Sequence, residues 1–241
     1  MSWRTRSPAR ASRATTSRRF ATRSRNPRHP PRTERALANE NSHPWTAEQA
    51  LERLKEGNAR FVNGEAHFPT VQKEVLADLT KGQQPYATIL GCSDSRVPPE
   101  VIFDAHLGEL FVVRVAGNVL GSAIFGTLQY AGAHLRTPLF VVMGHEGCGA
   151  VEAAIASKFH GAEHKSRIEL LVENILPALD GLDGTQPPGD LLHAAVESNV
   201  RWTLRTLRET PEVKAVGATS AMKLVGAIYE LETGRVRFLE P

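Results

Sequence analysis

A chain of 241 residues, 41% of them hydrophobic, can bury a core of its own. Its apolar runs are cut by Gly, Pro or charge within about 8 residues where a bilayer span needs roughly 18, so a soluble protein with no membrane partner is expected. The net charge of +3 is uneven: residues 1–35 hold 11 of the 29 basic residues and one acid, leaving 18 basic against 25 acidic residues, a net of −7, in the rest, which excludes nucleic acid as the globular part's partner.

Residues 1–40 make a basic arm of Arg, Ser, Thr, Ala and Pro, and so few large apolar side chains cannot offset the entropy of ordering. Disorder is expected there. The composition suits a mitochondrial or plastid transit peptide, and equally an unstructured tail or an over-called translation start. Ser17-Arg18-Arg19-Phe20 has the look of a twin-arginine signal, but the polar residues 21–27 provide no hydrophobic region, so export is not expected.

Residues 41–241 are expected to form one domain. Thr46, with Gln49 three residues on, caps an amphipathic helix running to Val62. A shorter helix is expected over 71–79. Three apolar runs, 86–92, 110–115 and 139–144, are the length of buried parallel strands, and between the last two lies a helical stretch, 122–136. Another helix starts beside Cys148. Longer amphipathic helices are expected over about 164–179 and 190–208, split by the loop 180–189, and the chain closes with a hairpin over 224–239. The fold class is therefore α/β: a central, mostly parallel β-sheet flanked by helices, with an N-terminal helical arm and a C-terminal hairpin.

Both cysteines of the chain lie where the first and third strands end, in Cys92-Ser-Asp-Ser-Arg96 and in Gly144-His-Glu-Gly-Cys-Gly149. Standing 56 positions apart (148 minus 92), they do not suggest a disulfide scaffold; beside a histidine they read as metal ligands in a reducing compartment, hence the cytoplasm. Ligands collect at the carboxyl edge of open α/β sheets. On an extended segment Cys92, Asp94 and Arg96 share one face while Ser93 and Ser95 turn into the scaffold. His145 and Cys148 straddle a strand-to-helix turn in which three glycines allow the tight backbone and the helix end lowers the thiol pKa. Two thiolates and an imidazole suit Zn²⁺, with Asp94 either as fourth ligand or paired with Arg96 so that water can take that position and ionise. Singly, each feature has a plainer reading as core packing, a salt bridge or a turn; together they point to metal.

These two segments resemble the paired signature of the beta class of carbonic anhydrases, with supporting likeness at 108–114, 116–118 and 129–131. The resemblance implies zinc held by Cys92, His145 and Cys148, catalysis involving Asp94 and Arg96, and reversible hydration of carbon dioxide to bicarbonate and a proton by zinc-bound hydroxide. It further implies substrate contacts at Gln83, reaching across a dimer interface, and at Phe111, Ala116 and Tyr130, lining an apolar pocket, with self-association as a dimer or tetramer. Ile89 stands where a bicarbonate-regulated subset of the family has Trp, so that regulatory pocket is not expected, and Arg114 is left for an interface or scaffold ion pair. Competing readings are a carbonyl sulfide or carbon disulfide hydrolase on the same scaffold, a structural zinc, and a redox or phosphatase-like Cys92 beside Arg96.

Overall fold

The computed structural model describes residues 43–67, 73–211, 213 and 222–240, all within the unit His43–Pro241. The basic arm lies outside the described residues, as do the first residues of the helix expected from 71. Among the described residues no helix is long and apolar enough to cross a membrane.

Five strands form one sheet in the order β2-β1-β3-β4-β5: β1 Ala87–Gly91, β2 Leu110–Arg114, β3 Leu139–His145, β4 Lys223–Tyr229 and β5 Val236–Phe238. The first four are parallel and β5 returns antiparallel, closing the expected hairpin. β1 and β3 are buried at every residue, which is why they read as unbroken apolar runs rather than alternating ones. From β1 the chain moves outward to β2 and then crosses back to β3 on the other side. The carboxyl ends of β1 and β3, in register with Gly91 beside Met143, therefore flank a point where the winding reverses.

The helices are α1 Ala47–Val62, α2 Lys73–Leu79, α3 Pro99–Ile102, α4 Ser122–Tyr130, α5 Gly149–His160, α6 Ile168–Ile175 and α7 Pro188–Glu209. The expected capping box opens α1: Thr46 Oγ1 accepts from Gln49 N–H, and Gln49 Oε1 from Thr46 N–H. α1 is not a loose arm. Ala50 and Leu54 enter the core, and Asn58 donates to the carbonyls of Ile102 and Gly234 while accepting from Val236 N–H. The stretch expected to be helical from 122 to 136 changes pitch at Ala131 into a π-helical turn that ends with Arg136 left-handed at φ +54°. The helix expected from 164 starts only at Ile168 and tightens to a 3₁₀ turn at Leu176–Leu179, where Pro177 lacks the N–H an α-helix would use.

α7 seats against β3 and β4 because glycines leave it room. A Cβ on Gly144 would come within 2.7 Å of Val200 Cγ2 and 3.1 Å of Val196 Cγ1, and one on Gly226 within 2.9 Å of Leu204 Cδ1.

Candidate metal centre

Cys92 follows β1, His145 ends β3, and Cys148 sits at the N-terminus of α5. One ligand atom from each lies within 4.8 Å of the others, and all three residues are buried. Four-coordinate zinc bonds its ligands at about 2.0–2.3 Å, so its donors stand roughly 3.3–3.8 Å apart, inside that limit.

The imidazole is oriented from behind. Nδ1 lies 2.8 Å from the carbonyl of Glu146, and because a carbonyl only accepts, Nδ1 carries the proton. Nε2 is left with its lone pair, buried and without a hydrogen-bond partner among the described residues. A buried acceptor facing two thiols is what a metal ligand looks like before the cation is considered, and the backbone carbonyl behind it is the usual means of fixing the tautomer.

The Cys92 sulfur accepts N–H groups from Gly117 at 3.4 Å and Asp94 at 3.5 Å. The Cys148 thiol lies beside it, and chiefly for that reason the Cys92 thiol is held well below its ordinary range. The same closeness to Cys92 pushes the Cys148 thiol up, and burial adds to this. The helix end expected to lower Cys148 is present, through the N–H groups of Val151 and Ala150, but is outweighed by the neighbouring thiolate. Two sulfurs this close cannot both be anionic without a cation, so the donor set itself fits a divalent metal. Thiolate and imidazole donors together select zinc among the common ones.

Asp94 lies outside that triangle and is held by Arg96. Arg96 donates from Nε to Oδ1 at 3.0 Å, from Nη2 to Oδ2 at 2.7 Å and from its backbone N–H to Oδ1 at 2.9 Å. Nη2 also reaches the carbonyl of Gly147 at 3.3 Å, tying the loop after β1 to the turn after β3. The Arg96 side chain, first, and its backbone N–H keep the Asp94 carboxyl far below the usual carboxylate range. The expectation that Ser93 and Ser95 turn into the scaffold is corrected: both are exposed, since β1 ends at Gly91 and 92–96 is a loop without strand alternation.

Of the three glycines around His145 and Cys148, only Gly147 has a positive φ, +61°; Gly144 is small for α7, and a Cβ on Gly149 would meet nothing. Among the described residues Arg114 makes no ion pair. It reaches from β2 to the carbonyl of Cys92 at 3.0 Å through Nε and that of Asp94 at 2.5 Å through Nη2, bracing the ligand loop.

The four expected substrate residues do not gather at one place within the chain. Ala116, half-buried, adjoins Gly117 and the site. Phe111 pairs in register with Thr88, four residues before Cys92, and its ring lies tilted at 6.2 Å from that of Tyr130, which is exposed and lies 5.0 Å from His134. Gln83 is exposed before the amino end of β1, the opposite edge of the sheet from Cys92. Gly117 and Asn199, which touch the site's surroundings, carried no local signal in the sequence beyond an Ala-Gly-Asn turn.

Fold and donors together define an α/β metalloprotein with its centre at the carboxyl edge of a parallel sheet. The family model described as carbonic anhydrase matches residues 87–236. The chain is 38% identical over 197 residues to the carbonic anhydrase of Mycolicibacterium smegmatis, covering 81% of this chain and 93% of that one, and 39% identical over 188 residues to carbonic anhydrase 2 of Mycobacterium tuberculosis, covering 77% and 89%. The structure of the beta-carbonic anhydrase CcaA superposes with a TM-score of 0.62 at 26% identity, over 79% of this chain and 95% of that one. This chain belongs to the carbonic anhydrase family, in its beta class, whose cofactor is zinc.

Proposed function

We propose that the protein catalyses the reversible hydration of carbon dioxide to bicarbonate and a proton at a zinc ion held by Cys92, His145 and Cys148. The observation that carries this reading is the buried, unpartnered Nε2 of His145 facing two thiols beside an Asp94 already claimed by Arg96. Zinc bound there supplies Lewis acidity that brings the ionisation of water to near neutral pH.

The chain's own residues do the rest. Arg96 keeps Asp94 ionised and turned away from the metal, which supports a three-residue ligand set with a fourth position open to water rather than the closed set with Asp94. Asp94, as an acceptor with both oxygens oriented, takes a hydrogen bond from the nucleophilic water and aims its lone pair at the carbon. A C–O bond forms, one C=O electron pair moves onto the distal oxygen, and the proton leaves to solvent.

The reading extends to self-association. Gln83 cannot reach its own Cys92 across the length of β1, so a substrate contact from Gln83 requires a second copy. Exposed Val101 and Leu107, and the outer edge of β2, unpaired among the described residues, supply apolar surface and backbone groups that a partner can cover. Phe111 is on that strand, and the Tyr130 ring at the end of α4 lies beside it.

Stopped-flow carbon dioxide hydration between about pH 6.5 and 9, with zinc content measured in parallel, tests the proposal. Fast hydration that rises with pH at one zinc per chain supports it. Stoichiometric zinc without hydration refutes it, and carbon disulfide turnover in the same preparation would reassign the enzyme to the sulfur analogues.

A further inference from the structure

Asn199, 1% exposed on α7, donates from Nδ2 to the carbonyl of Gly117 at 2.9 Å across 82 residues of sequence. A carbonyl only accepts, so this bond settles the orientation of the amide and leaves Oδ1 buried without a hydrogen-bond partner among the described residues. An unsatisfied buried acceptor is unfavourable, and an apolar residue in the same place would avoid it. Packing therefore does not account for Asn199.

The group it holds has one other connection. Gly117 stands at φ +67°, and a Cβ there would come within 2.8 Å of Ile175 Cδ1 and 3.1 Å of Ala150 Cβ, so the position admits glycine alone. Glycine brings no side chain to fix its backbone. What orients it are the bonds at its two ends: its carbonyl accepts from Asn199, and its N–H donates to the sulfur of Cys92. α7 can deliver Asn199 to this spot because Val196 and Val200, on the same helix, pack onto the bare Cα of Gly144, next to His145.

We propose that Asn199 is a positioning residue for the metal centre: by holding the carbonyl of Gly117 it aims the Gly117 N–H at the Cys92 sulfur and so sets that thiolate's strength as a ligand. The inference rests on Cys92, His145 and Cys148 holding the metal. An N–H···S bond draws charge from the sulfur, so its loss makes the thiolate a stronger electron donor.

The test replaces zinc with Co²⁺ in the full chain and follows the near-ultraviolet sulfur-to-cobalt charge-transfer band, with the rate of metal release to a chelator. Two variants guard against a folding failure: Asn199→Leu keeps the bulk, and Asn199→Ser has a hydroxyl too short to reach Gly117. In whichever folds, the band moves to longer wavelength and metal release changes by about 10-fold. Leu207→Ala, a cavity two turns further along the same helix, lowers stability and leaves the band in place. An unmoved band in a folded Asn199 variant, or an equal shift in Leu207→Ala, overturns the role of Asn199. A wild-type protein with no thiolate band at all overturns the assignment of the three ligands instead, and this inference with it.

Discussion

Arg96 grips Asp94 through three hydrogen bonds, two from its guanidinium at 2.7 and 3.0 Å and one from its own backbone N–H at 2.9 Å, although only Ser95 separates the two residues. The backbone bond forms a tight turn, so the carboxylate is presented to the guanidinium before any distant part of the fold is involved. A carboxylate engaged this way is a poor candidate for a metal ligand and a good hydrogen-bond acceptor.

Removing the guanidinium frees the carboxylate to approach the cation. In Arg96→Ala, zinc content stays at one per chain while hydration falls by about 10- to 100-fold or more. Arg96→Lys recovers little, since a single ammonium cannot fork onto both oxygens. Stopped-flow rates with metal analysis on both variants check this, and an Arg96→Ala enzyme as active as the wild type would remove the pair from the mechanism.

Losing a ligand acts differently. Cys148→Ser replaces a thiolate with a hydroxyl that zinc does not deprotonate readily, and it also removes the thiol beside Cys92. Zinc and hydration are expected to disappear together, and a chelator should reproduce the loss in the wild type. A Cys148→Ser protein with full zinc would show that the triangle is not the binding site.

Gly57 invites the opposite of the usual helix rule. Gly→Ala inside a helix ordinarily gains about 1 kcal/mol. Here a Cβ would stand 2.0 Å from the carbonyl oxygen of Phe103, a backbone atom that cannot swing aside. α1 must back off, straining the contacts of the adjacent Asn58, and overpacking of this kind costs about 1–3 kcal/mol or more. Denaturant unfolding of Gly57→Ala should therefore show a net loss; a gain would mean that α1 is not docked as described.

Asp104 links stability to pH. Burial pushes its carboxyl up, but hydrogen bonds from Arg60 Nε at 2.6 Å, His67 N–H at 2.7 Å and His67 Nδ1 at 3.0 Å outweigh burial and hold it below its ordinary range. A folded-state pKa below the unfolded value of about 3.9 means stability that is present above that value and lost as pH falls through the folded one. Asp104→Asn should cost about 1–2 kcal/mol at pH 7, after discounting for the exposure of His67 and Arg60, and the difference from the wild type should shrink below about pH 4. Urea titrations of both proteins at pH 7 and 3.5 measure it.

The residues within each short segment determined most of what could be read from the sequence. Cys92, His145 and Cys148 stood out because ligand chemistry depends on residue type at short spacing, and β1 and β3 stood out because strands buried on both faces must be apolar throughout. Thr46 and Gln49 announced α1 for the same local reason. Tertiary structure decided the rest. Only the register of β1 beside β3 brings two cysteines 56 positions apart to one cation site, and only the loop geometry after Gly91 exposes Ser93 and Ser95 and hands Asp94 to Arg96. Gln83 and Cys92, close in sequence, were separated because an extended strand carries its two ends to opposite edges of the sheet. Asn199 was unreadable in its own helix, because its meaning lies in a glycine carbonyl that α7 meets only after packing onto Gly144.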